Sequence, residues 1–424
     1  MNALRSSAGI DISASEVALD TPSAARKLLA RLDPLDWIRI GLLALGVLFV
    51  FTGLLPEPEA RANIGRIAPL LLFLASVIVL ANLARQAKVF DVIATRIAIV
   101  GRGNYAALFL LCVLFASAST ILLNLDTTAV LLTPVLLALA VRAGIAALPL
   151  AMTTIWLANS ASLLLPVSNL TNLLAADRVA LAAPAFAARM WAPQLAAILA
   201  TMLFLWVCYW RRSRRGPDRY EPPTPVRMDG PRERALFRIS GVAVVLFIAA
   251  IPLVRDQIGY AAAGSALIAV LAFAVLDRGA LRLGLIPWQL LILVTGLFLV
   301  VPTLSRFGLA TVMTTLIGTG TGTLGAFRAA ATGAGLSNLL NNLPAYTAGE
   351  AVIPPHHADQ LLALLVGTNV GPIVTPWASL ATLLCLESCR RYGLRISLRT
   401  FVLTGLGLAV VALVGSVGAL LLTS

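Results

Sequence analysis

Between Trp37 and Leu422 the chain is a succession of apolar runs of bilayer-crossing length, parted by short loops crowded with arginine. A helix needs about 20 apolar residues to span the hydrocarbon core, and inside lipid each backbone polar group must find its partner within the protein. Helices and closed barrels alone meet that condition, and the short alternating segments of a barrel are absent. With 59% hydrophobic and 12% charged residues, the chain carries about half the charge of an average soluble protein. The expected fold class is an all-α polytopic membrane protein. The net charge of +13 is explained by loop arginines on a cytoplasmic face, so no nucleic-acid partner is expected.

Taken in order, residues 1–35 read as a cytoplasmic tail with no secretory signal before Trp37. Spans follow at 37–55 and 67–83, joined by a turn at Pro56-Glu-Pro-Glu59, and residues 89–104 read as an amphipathic piece on the inner surface. Further spans are expected at 191–210, 235–254, 260–276, 288–301 and 401–422. Residues 211–235 hold eight arginines against four acids and form a basic cytoplasmic linker at the midpoint. The Gly318-Thr-Gly-Thr-Gly-Thr-Leu-Gly325 stretch lacks the preceding strand and following Lys of a phosphate loop, so it reads as a connector. Cys385 and Cys389 stand one helical turn apart but lack the further ligands a metal site needs. No metal or cofactor is expected, and His356-His357 read as a turn.

Four stretches interrupt the apolar pattern. In the first, Asp126 lies between apolar arms with Asn124, Thr127 and Thr128 beside it. An acid at membrane depth costs about 3 kcal/mol or several times that, and such residues mark ion or substrate paths more often than packing. If Arg102 and Arg142 both lie inside, residues 106–141 form a re-entrant hairpin with a shielded polar tip. In the second, over 147–176, Pro166 frees a helix carbonyl while Ser168, Asn169, Thr171 and Asn172 offer replacement partners. That is the pattern of a broken transmembrane helix. The third, over 326–352, is another polar tip, Ser337-Asn-Leu-Leu-Asn-Asn342, between apolar arms. The fourth, over 358–386, places two prolines and two glycines around Thr368, Asn369 and Thr375, too many breakers for a continuous helix.

Hairpin then broken helix therefore occurs twice, in 36–210 and in 236–424, and the linker separates the copies. The sequence pairs Asn124 with Asn338 and Ser168-Asn-Leu-Thr-Asn with Thr368-Asn-Val-Gly-Pro. With the tail inside, the span count makes the repeats inverted, about nine or ten spans plus two hairpins, with the four polar pieces meeting near the midplane. Across the centres of those pieces, 121–134, 157–176, 333–347 and 364–384, Asp126 is the one acidic or basic side chain; Asn159, Ser168, Asn169, Thr171, Ser337, Asn338, Asn341, Asn342, Thr368, Asn369 and Thr375 offer amides and hydroxyls. Burial favours the protonated form of a carboxylic acid, which suits Asp126 to carry a proton. Such a site fits a neutral hydroxyl-bearing solute or a small cation exchanged against a proton. An intramembrane enzyme would need a nucleophile with its base, or metal ligands, at that depth, and no histidine lies in a span.

Four motifs then carry a family resemblance: Leu125-Asp-Thr-Thr-Ala-Val-Leu-Leu-Thr-Pro134, Ala161-Ser-Leu-Leu-Leu-Pro-Val-Ser-Asn-Leu-Thr-Asn-Leu-Leu-Ala-Ala-Asp177, Ser337-Asn-Leu-Leu-Asn-Asn-Leu-Pro344 and Gly371-Pro-Ile-Val-Thr-Pro-Trp-Ala-Ser-Leu-Ala-Thr-Leu-Leu384. In this order, across residues 36–424, the chain resembles the arsenite efflux permease family of the ion transporter superfamily. The resemblance implies export of arsenite and antimonite against inward protons, a scaffold domain and a moving transport domain. It also implies a homodimer in the inner membrane and, in some relatives, an ATPase subunit. The sequence departs from the pattern at Leu125, where the family has Asn before the acid, and at Asn159 and Asn369, where it has acids. A lysine expected near Ile373 and one N-terminal span are also missing. The Ser168-Asn-Leu-Thr171 pattern is similar to the sodium-coupled dicarboxylate branch of the superfamily, which keeps a sodium symporter or a sodium/proton exchanger as the alternative.

Overall fold

The computed structural model describes residues 34–211, 219–222, 224–250, 253, 258–318, 320 and 322–423. The N-terminal tail up to residue 33 and linker residues 212–218 and 223 lie outside them. Seventeen described α-helices follow one another: α1 Pro34–Phe51, α2 Glu57–Gln86, α3 Val89–Val100, α4 Tyr105–Leu123, α5 Leu125–Arg142, α6 Ala147–Ser160, α7 Leu170–Arg178, α8 Ala183–Leu205, α9 Pro231–Ala250, α10 Ile258–Leu276, α11 Trp288–Leu304, α12 Ala310–Ile317, α13 Thr323–Leu339, α14 Asn342–Glu350, α15 Ala358–Val370, α16 Leu380–Arg391 and α17 Leu398–Leu422. The described residues contain no strand. This is a polytopic helical membrane protein.

Local chemistry sets the helix ends. Pro56 stands at the N-cap of α2, with Glu57 and Glu59 in its first turn, where proline needs no N–H and acids favour the positive helix end. The Pro-Glu stretch therefore opens α2 as well as turning the chain. Asn104 caps α4, accepting from the Ala106 and Ala107 amides at 2.8 and 3.3 Å. Among the described residues six helices are long and apolar enough to cross a membrane, and a seventh forms if α11 and α12, bent by 58° around Arg306, count as one span. The six include both arms of the first hairpin, α4 and α5, and leave out α1, α9 and the two stretches interrupted at 161–169 and 371–379, so the set differs from the nine or ten spans expected. Helix α12 had no separate signal in the sequence.

The helices form two packed groups. In one, α1 lies on α11, α2 on α10 and α11, and α9 on α10 and α2. In the other, α4, α5 and α8 pack on α6, while α13, α14 and α17 pack on α15. The second group repeats under exchange of halves: α16 sits against α5 and α6, and α7 sits against α14 and α15. The groups meet where α2 touches α5 and α11 touches α14. Where α15 crosses α13 a Cβ built on Gly367 would lie 2.1 Å from the Ala330 carbonyl oxygen, the close backbone approach that small residues permit between membrane helices.

The structure shifts the register of the repeat read from sequence. Pro166 and Pro376 each open a single 3-10 turn, Pro166–Ser168 and Pro376–Ala378. Asn159 is thereby equivalent to Asn369, and Ser168 to Ala378 rather than to Thr368. Likewise Asn124 corresponds to Asn341 rather than to Asn338, because each is the bend between its hairpin arms, with φ of 118° and 140°. The sequence pairing followed polar composition, whereas the backbone follows the prolines and the bends.

Candidate functional site

Both hairpin bends sit in a backbone region that is nearly glycine's alone, at a cost of about 1–3 kcal/mol each. At the first, Asn124 Oδ1 accepts from the Thr127 amide at 2.7 Å and so caps α5. At the second, Asn341 Nδ2 donates to the Trp377 carbonyl at 3.1 Å and ties the bend to the neighbouring break.

The first residues of four helices border one crevice of 410 Å³, measured out to its open mouth. Its wall takes Leu125 and Asp126 from α5, Asn169 and Leu170 from α7, Asn341, Asn342 and Leu343 from α14, and Leu380 from α16. Leu74 of α2 and four apolar residues of α11, among them Val294, close the other side. Four helix N-termini thus border one space. Each carries partial positive charge, suited to oxygen-rich or anionic groups, and at α5, α7 and α14 an asparagine oxygen already accepts from one leading amide. Asp126 is the one ionisable side chain on the wall. It is 8% exposed, and its Oδ1 has no hydrogen-bond partner among the described residues. The Thr127 and Thr128 hydroxyls, Asn124 Nδ2, Asn159 Oδ1 and the Ser379 hydroxyl are buried without partners in the same sense.

The other residues singled out from sequence do different work. Asn159 Nδ2 donates to Thr382 Oγ1 at 3.1 Å and to the Ile155 carbonyl at 2.9 Å. Thr171 Oγ1 donates to Asn369 Oδ1 and Asn369 Nδ2 to Asn172 Oδ1, both at 2.7 Å. Ser168 Oγ donates to the Ile121 carbonyl at 2.8 Å, fastening the first break to the first hairpin. Asn338 bonds the Gly371 carbonyl and the Thr375 amide and hydroxyl, fastening the second break to the second hairpin. Ser337 and Thr368 spend their hydroxyls on their own helices, at the Gly333 and Leu365 carbonyls. The crevice therefore takes Asp126, Asn169, Asn341 and Asn342 from the sequence-derived set.

Sequence reasoning passed over Asn172 and Thr382 as inter-repeat partners, and over Gln194, a buried amide in α8. The signal for Gln194 was available: an uncharged polar residue inside a span that otherwise reads as lipid-facing. Cys385 accepts from the Thr133 hydroxyl at 3.1 Å. No three His, Cys, Asp or Glu side chains come together as metal ligands would among the described residues.

Comparison with known proteins adds to this geometry. A family model described as CitMHS, citrate transporter, matches residues 32–360. The arsenical pump membrane protein of Escherichia coli is 28% identical over 373 residues, 82% of this chain and 84% of that one; its Yersinia enterocolitica counterpart is 29% identical over 358 residues, 78% and 81% of the two chains. An uncharacterized transporter of Mycobacterium tuberculosis is 27% identical over 80% of this chain and 83% of its own. The Alcanivorax borkumensis YdaH transporter shares the fold, with a TM-score of 0.54, 17% identity and coverage of 92% of this chain and 97% of that one.

Proposed function

Because the chain belongs to the CitMHS citrate transporter family, and is a membrane transporter rather than an enzyme, we propose that it exports a small oxyacid such as arsenite or antimonite in exchange for protons. The observation that carries this reading is Asp126: the one ionisable wall residue of the crevice, with Oδ1 unpartnered among the described residues. Arsenite is largely an uncharged trihydroxide at neutral pH, and a wall of amides, hydroxyls and helix N-termini offers it hydrogen bonds without demanding charge. The likeness to arsenical pump membrane proteins supports that solute.

In this reading the two repeats are inverted across the membrane, with N-terminus and central linker cytoplasmic. The α1, α2, α9, α10 and α11 group is the scaffold, and the hairpins and broken helices are the moving part. The crevice lies on the boundary between them, as alternating access requires. When it opens outward Asp126 takes up a proton; when it opens inward the proton leaves and the solute replaces it. Arsenite tolerance of a sensitive bacterial strain tests this. Expression of the protein is expected to raise tolerance and the Asp126→Asn variant to leave it unchanged; equal tolerance with both refutes the role of the acid.

A second reading, sodium-coupled uptake of citrate or a dicarboxylate, is favoured by the four helix N-termini at the crevice, which suit an anion. Sodium-dependent accumulation of citrate in membrane vesicles, with no arsenite movement, would establish it over the first.

A further inference from the structure

We infer that Gln194 of α8 is a positioning residue for the first helix break, and through it for the crevice residue Asn169. Where α6 ends, the Ser160 carbonyl and the Leu163 amide lose the partners a continuous helix would supply. Gln194 meets both. Its Nε2 donates to the Ser160 carbonyl at 3.1 Å and its Oε1 accepts from the Leu163 amide at 2.7 Å. The side chain is 3% exposed, and both ends of the amide are used on the break. A buried amide in a membrane helix is costly unless paired, and this one pairs with backbone that has few alternatives.

The second break also takes a side-chain amide, but on different backbone groups: Ser160 and Leu163 correspond to Val370 and Ile373, and the Ile373 amide bonds the Gly371 carbonyl. There Asn338, from the hairpin arm α13, donates to the Gly371 carbonyl and accepts from the Thr375 amide, each at 2.9 Å. From the other side α17 brings Gly405, and a Cβ at that position would lie 2.3 Å from the Ile373 carbonyl oxygen. At Gly405 no side chain fits between α17 and the break, and the amide comes from the hairpin. In the first half the residue at Asn338's place is Ile121, which contributes only its carbonyl, to Ser168. The amide there comes from α8 instead. The second break is thus held by an amide from its own hairpin, and the first by an amide from a neighbouring helix in addition to the Ser168 hydroxyl on its hairpin. Downstream of the Gln194 clamp, the segment 163–169 leads into Asn169, whose Oδ1 caps α7 at the Thr171 amide and whose Nδ2 donates to Ser162.

The role of Gln194 does not depend on which solute is carried. Amide hydrogen exchange of the purified full chain tests it directly. Peptides covering 161–168 are expected to exchange at least about tenfold faster in Gln194→Leu than in wild type, since two buried backbone groups lose their partners. In Gln194→Glu the protonated acid can still donate to Ser160 and accept from Leu163, whereas the ionised form cannot donate. Its protection relative to wild type is therefore expected to be near normal at acid pH and lost at alkaline pH, and the KM of arsenite transport in vesicles to rise over the same range. A side chain that only filled space would give no such pH dependence. Unchanged protection in Gln194→Leu overturns the inference, as does a pH-independent Gln194→Glu, which also serves if the leucine variant does not fold. Wild-type vesicles that move no arsenite would sink the proposed solute and leave the exchange result to decide the role of Gln194.

Discussion

Asn369 Nδ2 donates to Asn172 Oδ1 at 2.7 Å, joining the first half of one broken helix to the second half of the other. The equivalent residues in the opposite repeat, Asn159 and Thr382, make the same connection at 3.1 Å. The two breaks are thus cross-linked by amides, and Thr171 completes the Asn369 side by donating to its Oδ1. Replacing Asn369 with Ala strands a buried carbonyl oxygen and a buried hydroxyl. The expected cost is about 1–3 kcal/mol, read as a lower unfolding temperature in detergent. Substrate affinity is expected to change little, since Asn369 is not on the crevice wall. A large rise in KM with no loss of stability would place Asn369 in the binding site after all.

Asp126 is expected to be indispensable for coupling and dispensable for folding. Asn keeps the size and the buried position but holds no exchangeable charge. Substrate-driven proton movement in Asp126→Asn vesicles should fall to background while the protein inserts at normal levels. Proton flux equal to wild type would assign coupling to another group.

Asn169 differs from Asn369 in lining the crevice. In Asn169→Ala the solute loses one polar partner and α7 loses its cap, together worth about 1–3 kcal/mol. The expected result is a KM raised roughly tenfold in vesicle transport, with the maximal rate far less affected. An unchanged KM would move the solute away from the first break.

The α13–α15 contact makes a steric prediction. Gly367→Ala puts a methyl group 2.1 Å from the Ala330 carbonyl oxygen, so the helices must separate, at a cost of about 1–3 kcal/mol. A Cβ added to Gly335 of α13 would meet nothing within 4 Å, and Gly335→Ala should be neutral or slightly stabilising. Unfolding temperatures of the two variants provide the check; equal values would mean that the crossing is not close-packed in solution.

Much of the fold was legible because membrane physics leaves few choices. Apolar runs of spanning length, the Pro166 and Pro376 breaks and the isolated Asp126 are all local features, each with one dominant physical meaning. The pairing between repeats was less legible. Polar composition suggested Ser168 opposite Thr368, but the equivalence runs through prolines and bends, and only the backbone shows that Asn124 and Asn341 share a positive φ.

The sequence by itself determined that the chain is a helical membrane protein with four interrupted polar stretches and one acid, Asp126, at their centres, since hydropathy and helix breaking depend on neighbours along the chain. Tertiary structure alone decided how those polar groups are divided. Asp126, Asn169, Asn341 and Asn342 face the crevice, while Asn159, Asn369, Thr171 and Asn338 are occupied in holding the breaks together. An amide bonds whatever lies within about 3 Å of it, and the partner's identity depends on how distant helices cross.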